Sequence, residues 1–385
     1  MSEPIVIVGR SGRAAAVSAR RAGYEPWVID CISARDTQRI AHSLKVDPRD
    51  YPHKLPELVQ KAPASAPIMM TGDLENHPTV WEAITFGREI IGSNADAIKA
   101  VRQIDVLNED GLKKIKIKGI KACRTRTIDD FWSRVTLSVF GVWDRRKYIV
   151  KPRRGSGGEG IRHWDTTGSF KHGSPGTLDR TEYLQQYIQG IPIGTVFRAD
   201  GWSVQFLGAS EMIVGDWDFG ADLFNYVGSI GEIDLQEKSR AAISQVAVAL
   251  TQRHDLRGIF GIDWIMDYAG RLWPIEVNPR YTASVEVLER CKGAPMMNSP
   301  TSKTSKPTQN GLMSGKASVR AKKPGMIDAD FFDVFGEHFV ANVPKPGAPI
   351  RKGEHICTIF AEGQTRDEVH KNLREKAAQV YAKLK

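Results

Sequence analysis

The chain opens on a four-residue apolar run, Ile5-Val6-Ile7-Val8, then a turn, Gly9-Arg10-Ser11-Gly12, an alanine-rich stretch from Arg13 to Ala22, and a second apolar run, Trp27-Val28-Ile29-Asp30. Runs this short, bounded by glycine, read as buried strands on either side of a helix, which is one βαβ unit. Ile68-Met69-Met70 before Gly72-Asp73-Leu74-Glu75, and Ile90-Ile91 before Gly92-Ser93-Asn94, add further short strands. The pattern predicts an open, mostly parallel α/β domain over residues 1–95. Over 96–292 strands and helices mix less regularly, an α+β arrangement, and two apolar strands, Gly258–Met266 and Arg271–Arg280, are joined through Tyr268-Ala269-Gly270. Residues 293–325, rich in Ser, Thr, Pro, Gly and Lys, read as a flexible basic linker or loop. Order resumes at Phe331 within a final segment, 326–385, which has a strand over Ile356–Ala361 and a helix running to the C-terminus. Thr365 is the N-cap of that helix, with Glu368 completing a capping box.

A length of 385 residues implies two or three domains. With 41% hydrophobic and 26% charged residues, the chain has the composition of an ordinary globular protein rather than a disordered one. No apolar run approaches the ~18 residues that span a bilayer, and Met1-Ser2-Glu3-Pro4 passes straight into the first strand without a charged leader, so a cytoplasmic protein without a membrane partner is expected. The net charge of +9 raises the question of nucleic acid. Seven basic residues and no acid lie between 291 and 325, however, which leaves the remainder near neutrality. The second basic stretch, Lys113 to Lys118, alternates lysine with isoleucine at strand period and has no aromatics for base stacking. No nucleic-acid partner is expected. Four scattered cysteines form no C-x-x-C pair and the nine histidines no H-x-x-x-H pair, so no zinc or redox motif is present.

Three motifs carry chemistry. Gly9-x-x-Gly12 with Asp30 partly fits a dinucleotide fingerprint but lacks its G-x-G spacing, and a tight strand-to-helix turn explains the glycines as well. Lys151 ends an apolar strand and is followed by Gly155-Ser156-Gly157-Gly158. Such a turn can lay backbone N–H groups over phosphates while the lysine supplies a point charge; it is not a Walker A loop, because the lysine precedes the glycines. Glu276 and Asn278, two apart on a strand, share one face, Arg280 continues it, and Asp263 on the preceding strand comes near them through the hairpin. Two carboxylates and an amide oxygen suit Mg²⁺, and an arginine on the same face can clamp an anion bidentately.

The ordered set of Lys151 with its glycines, Gln185-Gln186-Tyr187-Ile188-Gln189-Gly190, Asp263 and Glu276-Val277-Asn278-Pro279-Arg280 resembles the ATP-grasp superfamily, with a Rossmann-like pre-ATP-grasp domain ahead of it. The E-V-N-P-R string is close to the form in biotin carboxylase and carbamoyl-phosphate synthetase, and the tail from Gly353 to Thr365 is similar to the C-terminal strand and helix of the carboxylase-like members. The resemblance implies that Lys151 contacts the α/β-phosphates of ATP, that the loop carrying Gly155, Ser156, Gly157 and Gly158 closes over them, and that Gln186 (side chain) and Ile188 (backbone) lie at the adenine hinge. It implies further that Asp263, Glu276 and Asn278 hold Mg²⁺, with Mn²⁺ as an alternative ion, and that Arg280 is the catalytic residue meeting an acyl-phosphate or the acceptor. The sequence departs from the pattern in two places: the upstream basic contact expected near Val106 has only Arg102 close by, and amides stand where the hinge normally has a glutamate. The implied activity is an ATP-dependent ligase that activates a small-molecule carboxylate as an acyl-phosphate and transfers it to an amine, with homo-oligomerisation left open. A carboxyphosphate-forming enzyme and a non-catalytic nucleotide-binding protein are the alternatives. Asp222–Gly231, together with the tail, is similar to ATP-grasp proteins of tetrahydromethanopterin- and methanofuran-linked one-carbon metabolism, some of which join glutamate to an amine.

Overall fold

Strands that are apolar throughout need cover on both faces, and the N-terminal part of the chain supplies it. The computed structural model describes residues 2–108, 111–112, 117, 120–127, 148–164, 178–297, 311–327 and 339–384. β1 (Glu3–Val8), β2 (Tyr24–Asp30), β3 (His42–Lys45) and β4 (Ile68–Met70) form a parallel sheet in the order β3-β2-β1-β4. α1 (Arg13–Arg21) lays Ala15, Ala16 and Ala19 against Ile5, Ile7 and Val28, and α2 (Arg35–Ile40) follows β2. The other face, with Val6, Val8 and Ile29, is covered by α3 (Leu55–Val59), α4 (Pro78–Thr85) and α5 (Ala95–Val101) through Leu55, Trp81 and Ile98. Asn94 starts α5 where the sequence changes from strand to helix, its side chain accepting from the Ala97 N–H at 2.9 Å.

A small antiparallel sheet, order β5-β8-β6-β7, follows: β5 (Thr125–Arg126), β6 (Tyr148–Pro152), β7 (Arg162–His163) and β8 (Glu182–Gln186). The largest sheet is antiparallel and runs β13-β12-β9-β10-β11-β14-β18-β16. Its members are β9 (Gly190–Asp200), β10 (Val204–Val214), β11 (Tyr226–Gly231), β12 (Arg257–Asp267), β13 (Leu272–Asn278), β14 (Met313–Arg320), β16 (Val340–Ala341) and β18 (His355–Gly363), while β15 (Gly325–Met326) and β17 (Pro349–Ile350) pair with each other. α6 (Glu237–His254), α7 (Ala283–Lys292) and α8 (Arg366–Lys383) pack on this sheet. Thr365 caps α8 as the sequence predicts, accepting from the Glu368 N–H at 3.2 Å. The Glu368 carboxylate returns to the Gln364 N–H, one residue outside the cap, at 2.7 Å. No described helix is long and apolar enough to cross a membrane.

The expected linker over 293–325 is overturned for much of its length. Residues 313–320 are β14, an interior strand paired with β11 and β18. Its composition looked like that of a linker because the strand is covered closely on both sides. A Cβ on Gly315 would lie 2.5 Å from Val369 of α8, and the Lys316 ammonium reaches Glu286 of α7 at 3.0 Å. Other basic residues of the stretch are also engaged one by one: Lys292 pairs with Glu232, Arg320 with Glu159 at 3.8 Å, and Lys322 lies over the Tyr381 ring at 4.4 Å. Phe331 and, apart from Ile117, the Lys113-to-Lys118 stretch lie outside the described residues.

Candidate active site

Strand alternation decides what β6 and β8 present. Lys151 pairs with Tyr183 and Ile149 with Gln185, whereas Tyr148 and Val150 lie opposite Gln186 and Leu184. The second set faces a small core of Tyr148, Val150, Trp164 and Leu184, so the first lines a cleft shared with Arg102, Asn108, Gly155, Ser156, Gly157, Gly158, Ile275 and Glu276. Gln185, and not Gln186, therefore faces the cleft, and its amide lies 3.4 Å from the Ile275 carbonyl. Gln186 instead accepts from the Arg124 N–H at 3.3 Å and lines the outer surface with Ile188. Of the two, it is Gln185 and not the expected Gln186 whose side chain reaches the cleft, because two-residue periodicity turns neighbours to opposite faces.

Lys151 is buried, which alone would lower its pKa, but the Tyr183 hydroxyl and the Glu276 carboxylate outweigh the burial and hold it above its ordinary value. The ammonium therefore stays charged. The glycine turn beside it is held in place by its neighbours. Gly158 has φ +80°, and a Cβ there would sit 1.8 Å from the Phe224 carbonyl oxygen, so only glycine fits. The Gly157 carbonyl accepts from the Tyr226 N–H at 3.0 Å.

β12 and β13 bring Asp263 and Glu276 directly opposite each other, and Gly261 opposite Asn278. The Asn278 amide donates to Asp263 at 2.9 Å. Burial, followed by the charge of Glu276, pushes the Asp263 carboxyl up to about 7. Burial acts the same way on Glu276, but Arg102 and Lys151 override it and hold that carboxylate below its usual range. Two facing carboxylates that repel each other, with an amide oxygen beside them, are the donor chemistry of a hard divalent cation. The three residues predicted to hold Mg²⁺ are therefore together and fit it. Among the described residues no group of three His, Cys, Asp or Glu side chains that could hold a metal ion is found.

Arg102 stands at the end of α5, where the sequence offered only proximity to Val106. Its guanidinium pairs with Glu276 and donates to the Asn76 side-chain oxygen at 2.8 Å and to the Gly155 carbonyl at 3.4 Å. Asn76 itself donates to the Gly155 carbonyl at 3.2 Å. One arginine thus ties the N-terminal sheet's edge, the glycine turn and the Glu276 carboxylate together. Arg280 is buried beside them, donating through Nε to Glu75 at 2.6 Å and through Nη2 to the Asn278 side-chain oxygen at 3.1 Å. Glu75 and Asn76 gave no signal in the sequence, because they matter only once the turn after β4 meets the end of β13.

Asp30 is not free to read a ribose. It is buried and accepts from the N–H groups of Gly12, Ile32 and Ser33 at 2.8, 3.1 and 2.6 Å. Its carboxylate thus fills the helix N-terminus that a dinucleotide pyrophosphate would need, and the glycines serve the turn.

Residues 134–284 match the ATP-grasp domain family. Across 205 residues, 51% of this chain and 18% of the relative, the sequence is 24% identical to the arginine-specific large chain of carbamoyl phosphate synthase from Bacillus subtilis; the chain thus spans about a fifth of that protein's length. The fold is similar to the biotin carboxylase domain dimer of Hydrogenobacter thermophilus 2-oxoglutarate carboxylase in complex with MgADP, ADP and bicarbonate, with a TM-score of 0.70, 17% identity, and 97% of this chain and 89% of that one covered. It is similar also to the L-amino acid ligase of Bacillus licheniformis, with a TM-score of 0.63, 13% identity, and 100% and 98% covered. Residues 134–284 thus carry an ATP-grasp domain, and the whole chain shares its fold with the two solved structures.

A Lys151→Met substitution keeps the length and apolar stem of the side chain and removes its charge. Loss of a charge-assisted contact of ~1.5–3 kcal/mol should weaken ATP binding by about 10- to 100-fold in calorimetry. The thermal midpoint without nucleotide should hardly move. Normal affinity with a large fall in the midpoint would make the lysine a structural group.

Proposed function

We propose that the protein is an ATP-dependent ligase that phosphorylates a small-molecule carboxylate and passes the acyl group to an amine. The observation that carries this reading is a continuous set of contacts: Lys151, the glycine turn and Glu276 line one cleft, Asp263 stands opposite Glu276, Asn278 donates to Asp263, and Arg280 bonds Asn278 and, on the side of the N-terminal sheet, Glu75. Asp263, Glu276 and Asn278 would hold Mg²⁺, which when bound spreads the charge of the phosphates. Lys151 and the N–H groups of the turn grip the nucleotide. A carboxylate oxygen of the acid then takes the γ-phosphoryl group and releases ADP. The amine nitrogen next attacks the acyl carbon, phosphate departs, and the nitrogen loses a proton. Arg280, whose guanidinium is kept charged by Glu75 despite its burial, neutralises the acyl-phosphate as it forms.

Hydroxylamine tests the reading, because it intercepts an acyl-phosphate as a hydroxamate. Trapping should appear only with the correct organic acid, and Arg280→Ala should cut trapping far more than it weakens ATP binding. Glutamate is the first acid to try, given the likeness of Asp222–Gly231 and the C-terminal tail to the one-carbon group. The second reading, a carboxyphosphate route, uses every nucleotide residue named above and draws support from the bicarbonate bound in the carboxylase domain of similar fold. ATP cleavage stimulated by bicarbonate alone, with no acid giving a hydroxamate, would replace the first reading by the second.

A further inference from the structure

A second cavity, about 270 Å³, lies apart from the nucleotide cleft in the seam between the N-terminal sheet and the largest sheet. Its walls are apolar, with Met69, Met70, Trp81, Ile91, Ile259 and Met297 among them. Three charged side chains line it: Arg280, which is already paired with Glu75, and Arg198 from β9 and the exposed Glu89, which make no ion pair with each other.

Arg198 is the unusual group. It is half-buried, and among the described residues its guanidinium donates only to neutral oxygens, those of the Gln205 side chain at 2.9 Å and of the Met296 backbone. Burial lowers its pKa, and no carboxylate of the described residues offsets that. Burying a cation without an anion is costly. The chain that follows Met297 cannot supply the anion either, since residues 298–310 contain no Asp or Glu. Glu89, for its part, has no cationic partner among the described residues. A cavity of this size suits a molecule smaller than a nucleotide, and its lining calls for an apolar body carrying one negative and one positive group.

We propose that this cavity is a binding site for a free α-amino acid with an apolar side chain: the carboxylate meets Arg198, the ammonium meets Glu89, and the side chain enters the methionine-lined interior. Binding there needs neither ATP nor metal, and the cavity shares one residue with the ligase reading: Pro279, Arg280 and Tyr281 all form part of its wall, so an occupant touches the acceptor-side arginine.

The test is equilibrium binding of free L-methionine, L-leucine and L-phenylalanine to the full chain without nucleotide, by calorimetry. N-acetyl-methionine and methioninol, each lacking one charge, and L-glutamate serve as comparisons. At least one of the three apolar amino acids should bind saturably, and each of the comparison compounds should bind at least tenfold more weakly. Arg198→Gln should weaken the preferred amino acid at least tenfold and leave ATP affinity unchanged, while Glu89→Gln, on an exposed side chain, gives the same readout should the first variant fold poorly. Absence of saturable binding by all three amino acids would overturn the proposal. So would N-acetyl-methionine and methioninol binding as tightly as methionine, or binding indifferent to the Glu89 substitution.

Discussion

Glu276→Gln should abolish most Mg²⁺-dependent turnover while leaving the fold intact, the largest activity loss expected of any single substitution in this protein. The amide keeps the shape of the side chain, so β13 and its pairing with Asp263 survive. What disappears is one of two negative charges that make the site attractive to a divalent cation, and also the counter-charge of Arg102 and Lys151. Metal-ion catalysis supplies several kcal/mol of charge stabilisation, and about 1.4 kcal/mol corresponds to a tenfold change in rate, so a fall in kcat of about two to three orders of magnitude is expected. The apparent Mg²⁺ requirement should rise in the same experiment. Circular dichroism of the variant should match the parent, and unchanged turnover at the same Mg²⁺ requirement would remove Glu276 from the metal site. The arginine makes the prediction more specific. The Glu276 carboxylate divides its negative charge between a bound cation and the Arg102 guanidinium, which competes with the cation electrostatically, so Arg102→Gln should lower the Mg²⁺ requirement even as it weakens the hold on Asn76 and the Gly155 carbonyl.

Glu286→Ala should be the most damaging substitution for stability. Glu286 on α7 is buried between the Arg13 guanidinium of α1 and the Lys316 ammonium of β14, and the two cations come from opposite ends of the chain. Removing the shared anion leaves two buried positive charges with too little compensation, which costs ~3–5 kcal/mol for a broken buried pair. Lys316→Met should cost less, since Arg13 and Glu286 still neutralise each other. Urea unfolding of the two variants measures the difference, and equal losses would mean that shape and not charge is at stake. The same group carries a pH signature. Burial raises the Glu286 carboxyl, but Arg13 and Lys316 prevail and bring it down to about 2. A folded pKa below the unfolded value of ~4.3 contributes stability that is fully present above that value and is lost as pH falls toward 2. The Glu286→Ala protein should lack this part of the acid dependence.

Local sequence determined those parts of the molecule whose physics is local. The apolar runs of β1 and β2 with the glycine turn between them, the Thr365 cap, and the two-residue spacing of Glu276 and Asn278 all depend on neighbours within a few positions, and each is where the pattern puts it. Three things depended on tertiary structure. β14 reads as a linker because its glycine, alanine and serines are small, yet that smallness is what allows α8 to close on one face while Lys316 finds Glu286 on the other. Gln185 and Gln186 are indistinguishable as letters, and only the pairing of β8 with β6 decides which one faces the cleft. The contacts of Arg102, Asn76, Glu75 and Arg280 join residues as far as 205 positions apart. No spacing rule reaches that far, because such partners are chosen by how the N-terminal sheet docks on the hairpin of β12 and β13 and not by the chain between them.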